Sequence, residues 1–427
     1  MDFRDFQGDA DVLARLLDVA RQLSRPFQLT ELLSQVIDIG RDMLEADRGS
    51  VFLLDRETQS LYTVVAHGVE GIRFSVDRGI AGECARLGKV INVADCYNDE
   101  RFNQAIDKQT GYRTNCLIAV PLIGLDDELV GVMQLLNAKA GSFDEAHEQL
   151  ALLVASQAAI AIQRVKLMED HIERLKLEEE LELARRIQMG VLPKTLPTCL
   201  GYDIATHINP AEQTGGDIFD VVALGEVGAL PAALSPESLF LLLADATGHG
   251  VGPAISVTQV RAMLRVGLRL SATLDDLFKH VNSQVARDLS DDRFVTAFIG
   301  MLDPAKHEIA YHAAGQAPLL HFHAADGRCE FLDASTIPLG IMDDPPMEVT
   351  PPRKMEPGDF FVLVTDGMYE YQNPAGEEMG KDQVVHENSD ASAGELLDLL
   401  LAQMNSFAAG APQKDDVTAV VVKRERQ

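Results

Sequence analysis

The stretch LFLLLADATGHG, residues 239–250, decides how the second half of the chain is read. Six apolar residues run up to Asp245, and ATGHG then breaks the pattern with Gly248 and Gly250. A short apolar run closed by glycine reads as a buried strand that delivers its last polar side chain to the sheet's end. A carboxylate at such a place is costly unless it is paired or holds a cation, because an ion stripped of water loses several kcal/mol of solvation.

The same pattern recurs. FFVLVTDGMYE (360–370) is an apolar strand ending in Asp366, GGDIFD (215–220) places Asp217 before the apolar pair Ile218 and Phe219, and QKDDVT (413–418) sets Asp415 and Asp416 at the head of a last alternating strand, DDVTAVVVKR. Singly, each reads as a turn aspartate. Converging, they would raise one another's pKa, and a divalent cation relieves that repulsion. An all-oxygen donor set selects Mg²⁺ or Mn²⁺ over zinc, and two such ions can share a hydroxide poised to attack phosphorus. GGDIF is also one letter from GGDEF, the signature of diguanylate cyclases, with Ile218 in place of the glutamate. That alternative gives Asp366 and Asp415 nothing to do.

Around these motifs lie the expected strands FVTAFIGML, EIAYHAA and PLLHFHA and the helical runs ISVTQVRAMLRVGLRL and LDDLFKHVNSQVARDL. Strands in series with a helical hairpin between them predict an α+β fold built on a β-sandwich. The ordered set GGDIFD, DATGHG, TDGMYE and KDDVT, with ELARRIQMGVLP, FVTAFIGMLD, AAGQAPLLH and IPLGI, resembles the PPM-type serine/threonine phosphatases in their SpoIIE-like branch, from residue 183 to the end. The resemblance implies an α-β-β-α sandwich with two Mn²⁺ or Mg²⁺ ions held by Asp217, Asp245, the Ala246 carbonyl, Asp366 and Asp415. It further implies two-metal hydroxide attack on a phosphoester without a phosphoenzyme. Its implied substrate is a phosphorylated anti-sigma factor antagonist of the STAS type. Asp220 reads equally as an indirect contributor or a structural acid, and His249 as a loop residue shaping its glycine turn. Two departures stand out: NPAEQTGGD carries no arginine, and Gln316 occupies a place where histidine is common.

In the first half, GSVFLLD, SLYTVVAHG, KVINVAD, CLIAVPLIG and ELVGVMQLLNA read as strands, and a helix follows from residue 143 to about 162. Two helices are expected before them, broken near Pro26. SVFLLD, the run RGIAGECARLGKVINVADCYNDERFNQAIDKQTGYRTNCLIAVPL and LVGVMQLLN resemble a GAF domain of the kind found in cyclic nucleotide phosphodiesterases. That resemblance implies a small-molecule site, with a cyclic nucleotide (cAMP or cGMP) as leading ligand, at Ser50, Ile80, Ala81, Asp107, Thr110, Thr114 and Gln134. The associated N-K-x-F-x-x-x-D-E motif is partial: Asn137, Asp144 and Glu145 are present, Ala138 stands for the lysine, and Lys139 is displaced by one.

Between the halves, residues 164–189 contain one glycine-free and proline-free charged run with apolar steps of three and four at Val165, Met168, Ile172 and Leu175, then Leu177, Leu181 and Ala184. It reads either as a solvated connecting helix or as a parallel dimeric coiled coil. The expected divisions are 1–164 for the GAF sensor with its leading helices, 165–192 for the linker and 193–427 for the phosphatase domain.

Composition agrees with a folded protein: 46% of the 427 residues are hydrophobic and 24% charged. A net charge of −29 argues against nucleic acid and anionic membranes as partners. No uninterrupted apolar run reaches ~18 residues, and the first residues lack a signal peptide's pattern, so a cytoplasmic protein without a membrane span is expected. Five scattered cysteines outside any CxxC pair predict reduced thiols rather than disulfides or zinc ligands. The expected protein is a GAF-regulated metal-dependent phosphatase, a homodimer through its GAF and linker helices. The alternatives are a decayed phosphatase that only docks a phosphoprotein and the diguanylate cyclase.

Overall fold

The computed structural model describes residues 17, 18, 20, 21, 23, 28–66, 71–226, 237–289, 293–348, 350–381 and 390–426, the side chains of 64–66, 106, 109, 110 and 126 excepted. The first of the two leading helices expected from sequence lies largely outside the described residues. The chain divides into two compact units, Met1–Lys176 and Leu177–Gln427.

In the first unit, α1 (Leu29–Met43) precedes β1 (Ala46–Asp55), β2 (Ser60–Ala66), β3 (Arg73–Ser75), α2 (Gly79–Leu87), β4 (Ile91–Val93), α3 (Gln104–Thr110), β5 (Leu117–Ile123) and β6 (Leu129–Ala138). The strands form one antiparallel sheet in the order β3-β2-β1-β6-β5-β4. Side chains alternate across a strand, and β1 shows what that does. Val51 and Leu53 join a core with Leu33, Val36 and Ile37 of α1, whereas Phe52 turns to the other face and meets Ile80, Ala81 and Cys84 of α2.

The helix α4 (Glu145–Val191) runs unbroken through the stretch the sequence divided into a helix and a linker. By length and composition alone this helix is apolar enough to cross a membrane. The physical reason is local packing: Ala151, Val154, Ala155, Ala158 and Ile162 are apolar because they pack in the core of the first unit. Further along, Leu167, Met168, Ile172, Leu175, Leu177, Leu183 and Ile187 are exposed.

The second unit contains β7 (Tyr202–Asn209), β8 (Asp217–Ala223), β9 (Leu239–Ala246), α5 (Val251–Arg269), α6 (Leu274–Asp288), β10 (Val295–Asp303), β11 (Glu308–Ala314), β12 (Leu319–His323), β13 (Arg328–Leu332), β14 (Arg353–Lys354), β15 (Phe360–Val364), α7 (Asp366–Tyr369), α8 (Ala393–Ala408) and β16 (Val417–Arg424). Two five-stranded sheets result, β14-β11-β10-β9-β8 and β13-β12-β15-β16-β7. In β15, Phe361 and Leu363 enter the core shared with β8 to β11, while Phe360, Val362 and Val364 pack with Leu396, Leu397 and Leu400 of α8. Leu239 to Ala244 of β9 are all buried in the first of these cores, beside Val257, Val260 and Leu264 of α5. A strand covered on both faces has no reason to alternate, which explains LFLLLA. The unit is the α-β-β-α sandwich expected from sequence.

Candidate metal centre

Four segments deliver the acidic side chains. Asp217 opens β8 and lies directly across the antiparallel pair from Asp245 near the end of β9. Asp366 opens α7 one residue after Thr365 leaves β15, and Asp415 and Asp416 immediately precede β16, the neighbour of β15. The strand ends therefore bring Asp217, Asp245, Asp366 and Asp415 to one rim of the sandwich, together with Ala246, whose N–H bonds the Gly216 carbonyl at 3.0 Å.

Thr365 and Gln188, which the sequence does not mark, and Asp416 hold this rim. The Thr365 hydroxyl donates to Asp217 Oδ2 at 2.7 Å and accepts from the Thr418 N–H at 3.0 Å. Asp416 is a clamp: its carboxylate accepts from the N–H groups of Ala211 (2.8 Å) and Asp217 (3.3 Å), while its own N–H donates to Asp415 Oδ1 at 2.8 Å. Two glycines permit that approach. A Cβ on Gly215 would stand 2.1 Å from Asp416 Oδ2, and one on Gly367 would stand 2.0 Å from the Asp416 carbonyl oxygen. Gln188, on the last turn of α4, grips the GGD segment twice: its Nε2 donates to the Gly215 carbonyl at 2.7 Å and its Oε1 accepts from the Gly215 N–H at 3.2 Å.

Among the described residues, none of the four carboxylates Asp217, Asp245, Asp366 and Asp415 has an ion-pair partner. Burial, then the nearby Asp245, pushes Asp217 well above the usual carboxylate range. Asp245 is pushed up to about 7 by burial and by the charges of Asp366 and Asp415, and Asp366 to about 6 by burial and Asp415. Burial likewise raises Asp415. Oxygen donors repelling one another, with no ion-pair partner among the described residues, fit a divalent ion.

The sign of the resulting pH dependence follows from these shifts. Below about pH 4 the carboxyls are protonated in both folded and unfolded chains. Between there and about 7 the unfolded chain releases protons that folded Asp245 and Asp366 retain, so folding loses stability as pH rises. Metal-free protein is expected to melt progressively lower between pH 4.5 and 7.5, a trend that added Mn²⁺ flattens. Calorimetric melting across that range checks it, and a rising or level metal-free curve would contradict the electrostatic picture.

Asp220 does not join the centre. It is 0% exposed and paired with Arg265, whose Nε and Nη2 donate to its two oxygens at 2.7 Å each, and with Arg261 Nε at 2.9 Å. His249 is a loop residue with its side chain 84% exposed, its Nδ1 3.3 Å from Glu212. Gln316 is buried, donates to the Val364 carbonyl at 2.8 Å and lies 3.4 Å from the Thr296 hydroxyl.

In the first unit, Ser50 and Gln134 are direct cross-strand partners on β1 and β6. By strand alternation they share the face of Phe52 and Val132, where Ile80 and Ala81 are buried. Asp107 and Thr114 are buried and bonded to each other: Asp107 accepts from the Thr114 N–H at 2.7 Å, from its hydroxyl at 2.8 Å and from Tyr97 at 3.1 Å. Thr110 closes α3, but its side chain lies outside the described residues. Asn137 pins the segment between α3 and β5 by accepting from the Asn115 N–H and donating to the Tyr112 hydroxyl and the Arg113 carbonyl. Asp144 accepts from the His147 N–H, three residues on, at the start of α4.

Residues 28–162 match the GAF domain family, and residues 235–425 match the family of stage II sporulation protein E (SpoIIE). The probable 3',5'-cyclic phosphodiesterase pde-5 of Caenorhabditis elegans is 30% identical over 174 residues, 37% of this chain, which spans only 24% of that protein. Phosphoserine phosphatase RsbU of Bacillus subtilis (strain 168) is 25% identical over 259 residues, covering 58% of this chain and 71% of RsbU. The solved SiaA-PP2C domain of Pseudomonas aeruginosa is 19% identical with a TM-score of 0.48, over 59% of this chain and 98% of that domain.

Proposed function

We propose that this chain, which joins a GAF domain to a SpoIIE-type PPM phosphatase domain, is a cytoplasmic, sensor-regulated serine/threonine protein phosphatase that releases phosphate by direct attack of water. The observation that carries the reading is the convergence of four carboxylates from four chain segments, none of them ion-paired among the described residues. Two Mn²⁺ or Mg²⁺ ions held by Asp217, Asp245, the Ala246 carbonyl, Asp366 and Asp415 would supply Lewis acidity toward the phosphoryl oxygens and an acidified water. The chain's own part is positioning. Thr365 fixes the Asp217 carboxylate, Asp416 holds the segment from Ala211 to Asp217 against the head of β16, and Gln188 fixes the backbone at Gly215. The proposed substrate is a phosphorylated STAS-type anti-sigma factor antagonist. Full-length protein with Mn²⁺ is expected to dephosphorylate such a protein on serine or threonine and to leave a phosphotyrosine peptide intact; equal rates on both would overturn the assigned specificity.

The GAF domain is the proposed sensor, with a cyclic nucleotide on the Ser50, Phe52 and Gln134 face of its sheet. Asp107 and Thr114 bond each other across the loop they close, so a ligand contacting either would act on that closure. Calorimetric titration of the full chain with cAMP and cGMP is expected to give heat with one of them, at least tenfold weaker binding in Thr114→Val. No heat with either nucleotide would overturn the assignment. The exposed apolar residues of α4 at Met168, Ile172 and Leu175 supply the surface for the proposed parallel homodimer.

A further inference from the structure

We propose that His321, His323 and Glu330 form a second metal site, of the zinc class, at the opposite end of β15 from the acidic centre. Asp359 precedes β15 and Asp366 follows it, so the two ends stand roughly 20 Å apart at the usual rise of a strand. The site is built by β-sheet geometry. His321 and His323 are two apart on β12 and project from one face, their rings 4.1 Å apart between centroids. Glu330 sits directly opposite His321 on β13. One ligand atom from each of the three lies within 4.8 Å of the others, and Glu330 Oε2 is already 3.1 Å from His323 Nε2. Metal–ligand bonds of ~2.0–2.1 Å in a tetrahedral site separate donor atoms by about 3.4 Å, so modest side-chain rotation closes the set.

His321 is the observation that asks for a ligand. It is 1% exposed, and neither ring nitrogen has a hydrogen-bond partner. Asp359 Oδ2 stands 3.7 Å from its Nε2, beyond hydrogen-bond reach. The ring is held in plane by stacking on Phe361, with centroids 4.2 Å apart. A buried imidazole with no hydrogen bond, whose nearest polar neighbour is a carboxylate 3.7 Å away, is rare unless something is missing from its surroundings.

The neighbouring groups suit outer support of a metal. Arg353 donates to Glu330 Oε1 at 3.0 Å and so orients the carboxylate with Oε2 toward the histidines. Asp359 lies behind both rings, its Oδ2 3.9 Å from His323 Nδ1, and is held by the N–H groups of Ala324 and Glu356. A carboxylate in that place can take an imidazole N–H once the other ring nitrogen binds metal. Arg328 lies 3.6 Å from Glu330 Oε2 on an exposed side chain that can swing away. Two imidazoles and a carboxylate favour zinc and its chemical neighbours, whereas the all-oxygen acidic centre favours Mg²⁺ or Mn²⁺. The two ends of β15 therefore select different ions, and the zinc-class ion would pin the edge hairpin of β12 and β13.

Cobalt(II), a visible stand-in for zinc, tests the assignment. Full-length protein is stripped with chelator and titrated with Co²⁺ in excess Mg²⁺. Wild type and Asp245→Asn are both expected to bind one equivalent with the intense visible bands of tetrahedral coordination. His323→Ala and the near-isosteric Glu330→Gln are expected to bind at least tenfold more weakly while still melting cooperatively. Absence of those bands in wild type, their persistence in both site variants, or their loss in Asp245→Asn would overturn the proposal.

Discussion

Asp245→Asn is expected to lower phosphatase turnover by ~10³-fold or more while leaving the metal-free fold at least as stable as wild type. The two effects share a cause. Asp245 faces Asp217 across the β8–β9 pair, and burial with the charges of Asp366 and Asp415 raises its pKa to about 7. Without a cation this carboxylate is a source of repulsion, and asparagine of nearly the same shape removes it. With cations bound, its charge belongs to the catalytic apparatus, and ~4 kcal/mol of lost transition-state stabilisation corresponds to that thousandfold. Steady-state kinetics paired with metal-free melting checks both. A variant that is inactive because it unfolds, or one that keeps wild-type turnover, contradicts the role given to Asp245.

The second large effect is structural. Asp220→Ala is expected to destabilise the second unit by about 3–5 kcal/mol, because it leaves two arginines partly buried with no counter-charge. Asp220 is 0% exposed and meets both guanidinium groups, Arg265 through two hydrogen bonds. Arg261 and Arg265 lie one turn apart on α5, so this acid fastens that helix to β8 three residues beyond Asp217. Denaturant unfolding measures the loss. A change under 1 kcal/mol would mean the pair is not the fastening the geometry shows, and folded Asp220→Ala that had lost only metal would instead make it a ligand.

The acids at strand ends were legible in the sequence because an apolar run stopping at Asp is a local pattern with a physical cost. Asp245 and Asp366 stand at the ends of β9 and β15 as that pattern requires. GGDIF leads into strand β8, with Ile218 buried at 0% in the sandwich core, where the glutamate of GGDEF has no counterpart. The supports were not legible. Thr365 meets Asp217 across 148 positions and Gln188 meets Gly215 across 27, and side-chain pairing at such separations leaves no trace in periodicity. Asp220 stayed undecided for the same reason, since its arginines lie 41 and 45 residues away.

Helix α8 is announced locally by its cap rather than by strand-type alternation: Ser392 and Glu395 form a reciprocal capping box ahead of its apolar run. Strands β7 and β13 are more polar, with mostly part-buried side chains, and carry little hydrophobic alternation. The aspartate and the two threonines of the proposed sensor site rest on resemblance, and in the structure Asp107 and Thr114 bond each other.

The most direct test is phosphate release from a serine-phosphorylated protein by the full-length chain, with Mn²⁺ and with excess chelator. The account predicts release with Mn²⁺, none with chelator, and none in either condition from Asp245→Asn. No release from wild type with either Mn²⁺ or Mg²⁺, or equal release in chelator, would contradict it.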